Sequence, residues 1–392
     1  MPLLRTPIGI RRRPAQKVAS TLTAFLARLK TPLLMTRLRT SGTRALSATL
    51  AYPFYGRTSV PDTPRTGGQM ARYLITGIAG FIGSTLAHTL LQQGHEVRGI
   101  DNLSTGSLDN LADIRHAIDF QQADLQDAAA MKSACDGIDF ILHQGALASV
   151  PRSVKDPLTS HESNINGTLT LLIAARDAKV RRIVYAASSS AYGDQPTQPK
   201  QEDMSPMPLS PYAVQKLTCE YYIQSFYRAY GLEGVCLRYF NIFGPRQAAD
   251  SPYSGVIAQF TYRMMAGETP TIFGDGLTSR DFNYVDNAVS ANLLACLAPS
   301  AVATGRVFNI GTGRSHTLNE VYEVIAGQLG FAAKPVYGPP RAGDIKHSLA
   351  SIDRASTELG YKPLVHFHEG LQKTVAWYVA ENEKKTVAAV HG

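Results

Sequence analysis

The feature that most constrains this chain is a run of three glycines, Gly77-Ile78-Ala79-Gly80-Phe81-Ile82-Gly83, between two patterns of different period. Before it, Arg72–Thr76 (RYLIT) reads as a short buried strand; after it, Leu86, Leu90 and Leu91 recur at helical spacing. A further strand, Glu96–Ile100, ends at Asp101, eighteen residues beyond Gly83. Strand, glycine turn, helix, strand and acid, in that order, make up the first unit of a dinucleotide-binding fold. Gly77 lets the chain turn sharply out of the strand, Gly80 clears the backbone for a pyrophosphate, and Gly83 lets the helix pack close to the sheet. The helix N-terminus offers free N–H groups and partial positive charge to the phosphates. Asp101 stands about where the adenosine ribose hydroxyls bind, so its carboxylate favours NAD and repels the extra phosphate of NADP.

The pattern continues. Ile118–Ala123 reads as a strand ending at Asp124, and Phe140–His143 as another, followed by Gln144-Gly145-Ala146. Arg182–Ala187 (RIVYAA) reads as a third, ending in Ser188-Ser189-Ser190. Between the last two runs a helix through Leu169, Leu172 and Ile173, with Asn164 and Asn166 near its start. This alternation predicts an α/β fold, a Rossmann-type doubly wound parallel sheet covered on both faces. Strand ends in such sheets face the ligand crevice, which puts Asp124, Ala146 and Ser188 there.

Charge separates the chain into unlike parts. Residues 1–70 hold twelve Arg or Lys against the single acid Asp62, leaving 27 basic and 30 acidic residues for the remainder. The basic character therefore belongs to a tail, and a nucleic-acid footprint on the folded body is not expected. The tail, residues 1–69, has no sustained period and reads as an upstream extension before a start at Met70, a disordered basic segment, or an organellar transit peptide. No run of eighteen apolar residues suggests a membrane span. Cys135, Cys219, Cys236 and Cys296 are far apart and lack Cys-x-x-Cys spacing, which points to reduced, buried thiols and to no metal site.

After the serine run comes Pro211-Tyr212-Ala213-Val214-Gln215-Lys216, opening a helix through Leu217, Tyr221 and Phe226. Tyr212 and Lys216 are four apart and share a helical face. A phenol with an ordinary pKa of about 10 is a poor base near neutrality, and a neighbouring ammonium lowers that value. Tyr212 is thus a candidate to take a hydroxyl proton while a hydride leaves the same carbon. A serine at the neighbouring strand end can bond the same oxygen, and Lys216 can also hold the nicotinamide ribose.

On these residues the chain from about Met70 to Lys385 resembles the extended short-chain dehydrogenase/reductases, the NAD-dependent epimerase/dehydratase family. Within it the chain is most similar to the UDP-N-acetylglucosamine 4-epimerases. The resemblance rests on Asp101-Asn102-Leu-Ser-Thr-Gly106, Ser188-Ser-Ser-Ala-Tyr192-Gly193, Ser210-Pro-Tyr-Ala-Val-Gln-Lys216, Leu237-Arg-Tyr-Phe-Asn241-Ile-Phe-Gly244-Pro-Arg246, Ser279-Arg-Asp-Phe-Asn-Tyr-Val-Asp286 and Arg341-Ala-Gly-Asp344 with His347-Ser348. It implies a NAD-binding Rossmann domain at 70–245. A smaller C-terminal α/β domain at 246–392 binds the nucleotide sugar, with some segments returning to the first. It also implies a cytoplasmic homodimer, with no membrane or nucleic-acid partner.

Among site residues, the resemblance implies Ser188, Ser189, Tyr212 and Lys216 for catalysis. The cofactor set is Gly77, Gly80, Phe81, Ile82, Gly83, Asp101, Asn102, Asp124, Leu125, Gln144, Ala146 and Tyr239, together with Tyr212 and Lys216. For the UDP-sugar it implies Ser190, Asn241, Val256, Thr271, Phe273, Arg280, Arg341, Asp344 and Ser348. Dehydratases of the family carry an Asp-Glu pair where Ser189 and Ser190 stand, which argues against water removal. Ser348 matches a position where relatives restricted to non-acetylated sugars carry tyrosine, and its small side chain leaves room for an N-acetyl group. The expected activity is a UDP-hexose 4-epimerase acting through a 4-keto intermediate on UDP-GlcNAc and UDP-GalNAc, alongside UDP-glucose and UDP-galactose. The alternatives are a UDP-glucuronate 4-epimerase or decarboxylase and, more distantly, a non-catalytic NAD-sensing protein.

Overall fold

The computed structural model describes residues 70–249, 255–340 and 345–391, and the side chains of these up to 384. The basic tail at 1–69, and Arg341 and Asp344, lie outside the described residues.

The three glycines and the strands around them fold as their spacing predicts. Strand β1 (Arg72–Thr76) buries every residue after the first, and the chain turns at Gly77 with φ +67° into the helix Phe81–Gln92. Strands β2 (Glu96–Asp101), β3 (Ile118–Gln122), β4 (Phe140–His143), β5 (Arg182–Ser188) and β6 (Glu233–Tyr239) follow, with helices between them. With β7 (Asn241–Phe243), β8 (Thr271–Phe273), β9 (Ser279–Arg280) and β10 (Phe282–Tyr284) outside it, the main sheet is completed by β11 (Val307–Ile310). Its order is β11-β6-β5-β4-β1-β2-β3, all parallel. The chain order reverses between β1 and β4, and that reversal is where a crevice opens beyond the carboxyl ends of the strands.

Alternation along the strands sends successive side chains to opposite faces, and each face has its own core. Ile75, Leu86, Leu90, Val97, Val184, Ala288 and Phe308 pack on one side; Leu74, Ile141, Leu171, Ile183, Cys219 and Ile223 pack on the other. The second side is sealed by the twenty-residue helix Pro211–Tyr230 and by Gly167–Asp177, the helix predicted around Leu169 and Leu172. A single π turn, Glu162–Asn166, leads into the latter. A third core gathers Phe243, Ile257, Phe260, Phe282, Tyr284, Ile325 and Phe367 beneath the segments that follow β6. All four cysteines are free and buried, and no helix among the described residues is long and apolar enough to cross a membrane.

One side chain joins the sheet to the helix Val285–Leu297. Arg182, at the start of β5, has no exposed surface. Its Nη1 donates to the carbonyls of Ala295, Cys296 and Ala298 at 2.8, 3.0 and 2.6 Å, and Nε donates to Glu233 at 2.7 Å. It thereby satisfies orphan carbonyls at a helix C-terminus from outside the helix. Arg182→Leu leaves those carbonyls without their donor and Glu233 with Ser300 but no cation. The expected loss is about 3–5 kcal/mol of unfolding free energy, measured by urea titration.

Candidate active site

Packing fixes the glycine turn. A Cβ at Gly83 would lie 2.1 Å from the carbonyl oxygen of Gly77, and one at Gly77 would lie 2.7 Å from Gly145 Cα. At Gly80 a Cβ would meet the Gly77 carbonyl oxygen at 3.2 Å, a tight contact, and no second atom within 4 Å. Gly80 caps the helix Phe81–Gln92 without any side-chain hydrogen bond, so its first N–H groups are left for an outside acceptor. This is the arrangement that binds a phosphate. A cavity of about 1410 Å³ opens here, above the range usual for one small ligand. It is lined by the turn residues Gly77, Gly80, Phe81, Ile82 and Gly83 and by Asp101, Asn102, Asp124, Leu125, Gln144, Ala146 and Tyr239. The whole cofactor set expected from the sequence thus faces one space.

Asp101 has a structural task in the loop. Its carboxylate accepts from the Ala79 N–H at 2.9 Å and the Leu103 N–H at 2.8 Å, tying the glycine turn to the next loop. Burial pushes its pKa up against those two bonds. Asn102 donates to Asp124 at 2.7 Å. Burial of Asp124 works against its charge, but the Gln126 N–H and the Asn102 amide outweigh it and hold the carboxyl below its ordinary value.

Ser210 caps the helix Pro211–Tyr230 by accepting from Ala213 N–H at 3.2 Å, and Pro211 occupies the first turn, where its missing N–H costs nothing. Tyr212 therefore enters the cavity on the first turn, with Lys216 one turn further on. The Lys216 ammonium donates to the Ala186 carbonyl at 2.8 Å and lies 4.8 Å from the Tyr185 ring centre and 6.0 Å from that of Tyr212. Ser188 ends β5 and lines the same cavity as Tyr212.

One expectation needs correcting. The lysine does not make the phenol acidic by itself: burial pushes Tyr212 up to about 12, against a smaller downward pull from the Ser188 hydroxyl. Burial also pushes Lys216 down to about 8. Both groups have left water, and the ammonium is committed to a backbone carbonyl, so desolvation outweighs their mutual effect.

Ser188, Tyr212, Lys216 and Asn241 line the same cavity as the glycine turn. Ser189 and Ser190 do not line it. They open the short turn Ser189–Tyr192, and both the N–H and the hydroxyl of Ser190 donate to Ser188 Oγ, at 3.2 and 2.8 Å. Val256, Thr271, Phe273, Arg280 and Ser348 also stand apart from the lining residues. Val256 begins a helix, Thr271 and Phe273 form β8, and Arg280 pairs across β9 with Ser348 of the short strand His347–Ser348.

His143 is a buried polar link beneath the site that the sequence reading missed. It ends β4. Thr168 donates its hydroxyl to Asn164 O at 2.6 Å, so it accepts from His143 Nε2 at 2.9 Å. His143 Nδ1 then accepts from Thr76 Oγ1 at 2.7 Å, and Thr76 accepts the Gly145 N–H at 3.0 Å. Burial, with Lys216 nearby, pushes the imidazole down to about 3 and keeps it neutral, as this relay requires. The signal was a polar residue closing the apolar run Phe140–Leu142 directly before Gln144.

Residues 73–311 match the family model described as NAD dependent epimerase/dehydratase family. The chain belongs to this family. Its fold is the Rossmann-type α/β fold of the extended short-chain dehydrogenase/reductases, and NAD is its cofactor. It is 40% identical over 311 residues to the UDP-glucose 4-epimerase of Mycolicibacterium smegmatis, covering 78% of this chain and 98% of that one. The solved UDP-N-acetylglucosamine 4-epimerase from Methanobrevibacter ruminantium M1, in complex with UDP-N-acetylmuramic acid, is 39% identical with a TM-score of 0.76. That match covers 80% of this chain and 99% of the other. The UDP-glucose 4-epimerase of Thermus thermophilus, solved in complex with NAD, is 35% identical with a TM-score of 0.71, over 79% of this chain and 99% of the other.

Proposed function

We propose that this protein is a UDP-hexose 4-epimerase, interconverting UDP-GlcNAc and UDP-GalNAc foremost and UDP-glucose and UDP-galactose as well. The observation that carries the reading is that Ser188, Tyr212 and, one turn behind it, Lys216 line the cavity that the glycine turn opens. In this scheme Tyr212 takes the proton of the sugar 4-hydroxyl, and Ser188 bonds the reacting oxygen. NAD, which the glycine turn and Asp101 would hold, would supply a hydride acceptor whose positive charge favours the phenolate. Lys216 adds its positive charge near the phenol. The 4-keto sugar turns about its pyrophosphate, held by Asn241, Arg280 and Arg341, and offers its other face. Tyr212 then gives the proton back. No oxidant is consumed. Val256, Thr271, Phe273 and Asp344 are assigned to the uridine side, and the protein acts as a cytoplasmic homodimer.

A uronate is the less favoured substrate. The residues that follow β4 and β6 into the cavity, Gln144 to Ala148 and Phe240 to Asn241, are neutral, as is Ser188 at the end of β5. Lys216 is committed to Ala186 O. Dehydration is disfavoured because Ser189 and Ser190 provide neither acid nor base at the positions the reaction needs.

The test is incubation of the purified protein with UDP-GlcNAc, UDP-galactose and UDP-glucuronate in turn, without added NAD, and identification of products by NMR. New 4-epimers from the first two are expected; product from UDP-glucuronate alone refutes the reading. Ser348→Tyr is expected to reduce kcat/KM for UDP-GlcNAc about tenfold or more while sparing UDP-galactose. Equal losses on both substrates would remove Ser348 from the account of specificity.

A further inference from the structure

A buried ion pair stands behind the cavity, outside the residues that line it. Glu220, one turn beyond Lys216 on the same helix, and Arg238 on β6 are 1% and 3% exposed. Arg238 Nε and Nη2 donate to the two oxygens of Glu220 at 2.9 and 2.8 Å. The guanidinium lies 4.7 Å from the Tyr192 ring centre, and Tyr192 donates to Asn309 on β11 at 2.7 Å. In the sheet Arg238 is paired with Ala187, the residue before Ser188. The pair therefore touches the helix of Tyr212 and Lys216, the strand of Ser188, and the strand that leads to Asn241.

Such a pair is a weak source of stability, because desolvation of both ions offsets their attraction. Apolar side chains would hold this helix to the sheet as well, so the charges call for another account. The neighbour that gives them one is Lys216. From its own helix it faces Tyr212, Cys219 and Glu220; from β4, His143; from β5, Tyr185; Cys236 and Arg238 on β6 face Glu220 instead. Burial pushes both thiols and both phenols up and the imidazole down, so all of these are neutral. Among these groups Glu220 is the one carboxylate.

We propose that Glu220 and Arg238 form a positioning pair for Lys216. The carboxylate balances the buried ammonium, and the bidentate guanidinium keeps that carboxylate from closing on it. The ammonium is thereby left on Ala186 O beside Tyr212. Removal of either partner disturbs Lys216 in opposite senses. Glu220→Gln takes away the balancing anion and leaves both buried cations without it. Arg238→Met frees the carboxylate to pair with Lys216 directly and draw it off the Ala186 carbonyl.

The proposal rests on the epimerase reading only in that Lys216 serves Tyr212, and the experiment separates the two. Protein carrying ¹³Cε-lysine, with the NAD it retains on purification, is titrated by NMR, the Lys216 signal being the one missing in Lys216→Met. The midpoint of that signal is expected to fall by about one pH unit in Glu220→Gln and to rise by about the same in Arg238→Met. The alkaline limb of turnover moves with it in each case. Lowered melting temperatures with unmoved midpoints overturn the proposal and leave the pair a structural feature. Should a variant fail to fold, Glu220→Asp keeps the charge but withdraws it from both cations. Its midpoint is expected to fall less than with glutamine, and an unmoved midpoint in the folded Asp variant also overturns the proposal. Midpoints that shift as expected in a protein that turns over no UDP-hexose refute the epimerase reading and spare this one.

Discussion

Tyr212→Phe is expected to lower turnover of UDP-hexoses about a thousand-fold while the protein keeps its NAD. The variant loses one oxygen and little packing. That oxygen is the proposed proton carrier, and removal of a positioned acid–base group costs about 10²–10⁴ in rate. Cofactor retention separates a chemical loss from a structural one: the glycine turn, Asp101 and Lys216 are untouched, so NAD should co-purify as in the parent. Initial rates and the absorbance of released NAD measure the two effects. Turnover within about tenfold of the parent would show that another group moves the proton. The candidate would then be Ser188, which receives two hydrogen bonds from Ser190 and lines the same cavity as the phenol.

Gly83→Ala is expected to destabilise the protein by about 2 kcal/mol and to weaken NAD binding by about tenfold or more. The added methyl would sit 2.1 Å from the Gly77 carbonyl oxygen, a backbone atom with no rotamer by which to withdraw. Relief requires the helix Phe81–Gln92 to move away from the turn, carrying with it the N–H groups that face the phosphates. Gly327→Ala is the control. In the helix Leu318–Leu329 its new Cβ meets nothing within 4 Å, so the change should be neutral or stabilise by up to about 1 kcal/mol. Denaturant midpoints and calorimetric NAD titration measure both variants. A Gly83→Ala protein as stable as the parent, with undiminished affinity, would show that the close packing is not needed.

The fold was legible where backbone geometry dictates residue type. A left-handed turn at Gly77, close contact at Gly83 and a carboxylate closing β2 each leave a mark that spacing alone exposes. Strand ends were also legible, because Asp124, Ala146 and Ser188 follow apolar runs and all three reach the cavity. What the sequence did not show depends on who touches whom in the interior. The spacing of Tyr212 and Lys216 suggests an acidic phenol, yet the ammonium turns to Ala186 O and burial governs both groups. His143 reads as the last residue of a strand until Thr76 and Thr168, 67 residues before it and 25 after it, are seen to bond its two nitrogens. Ser190 reads as a substrate contact but donates to Ser188. Glu220 sits on a mixed helix where a charge reads as a solvated one and Arg238 in an apolar strand, and only the packed structure pairs them.

The account stands or falls on the sugar C4 hydrogen leaving as a hydride and returning within the same closed site. Epimerisation of a UDP-hexose in D₂O, without added NAD, tests this by NMR of the product. The expected product carries protium at C4 in full, since the hydrogen never meets solvent. Deuterium at C4 would show that it left as a proton, and would contradict the roles given to Tyr212 and to the glycine turn.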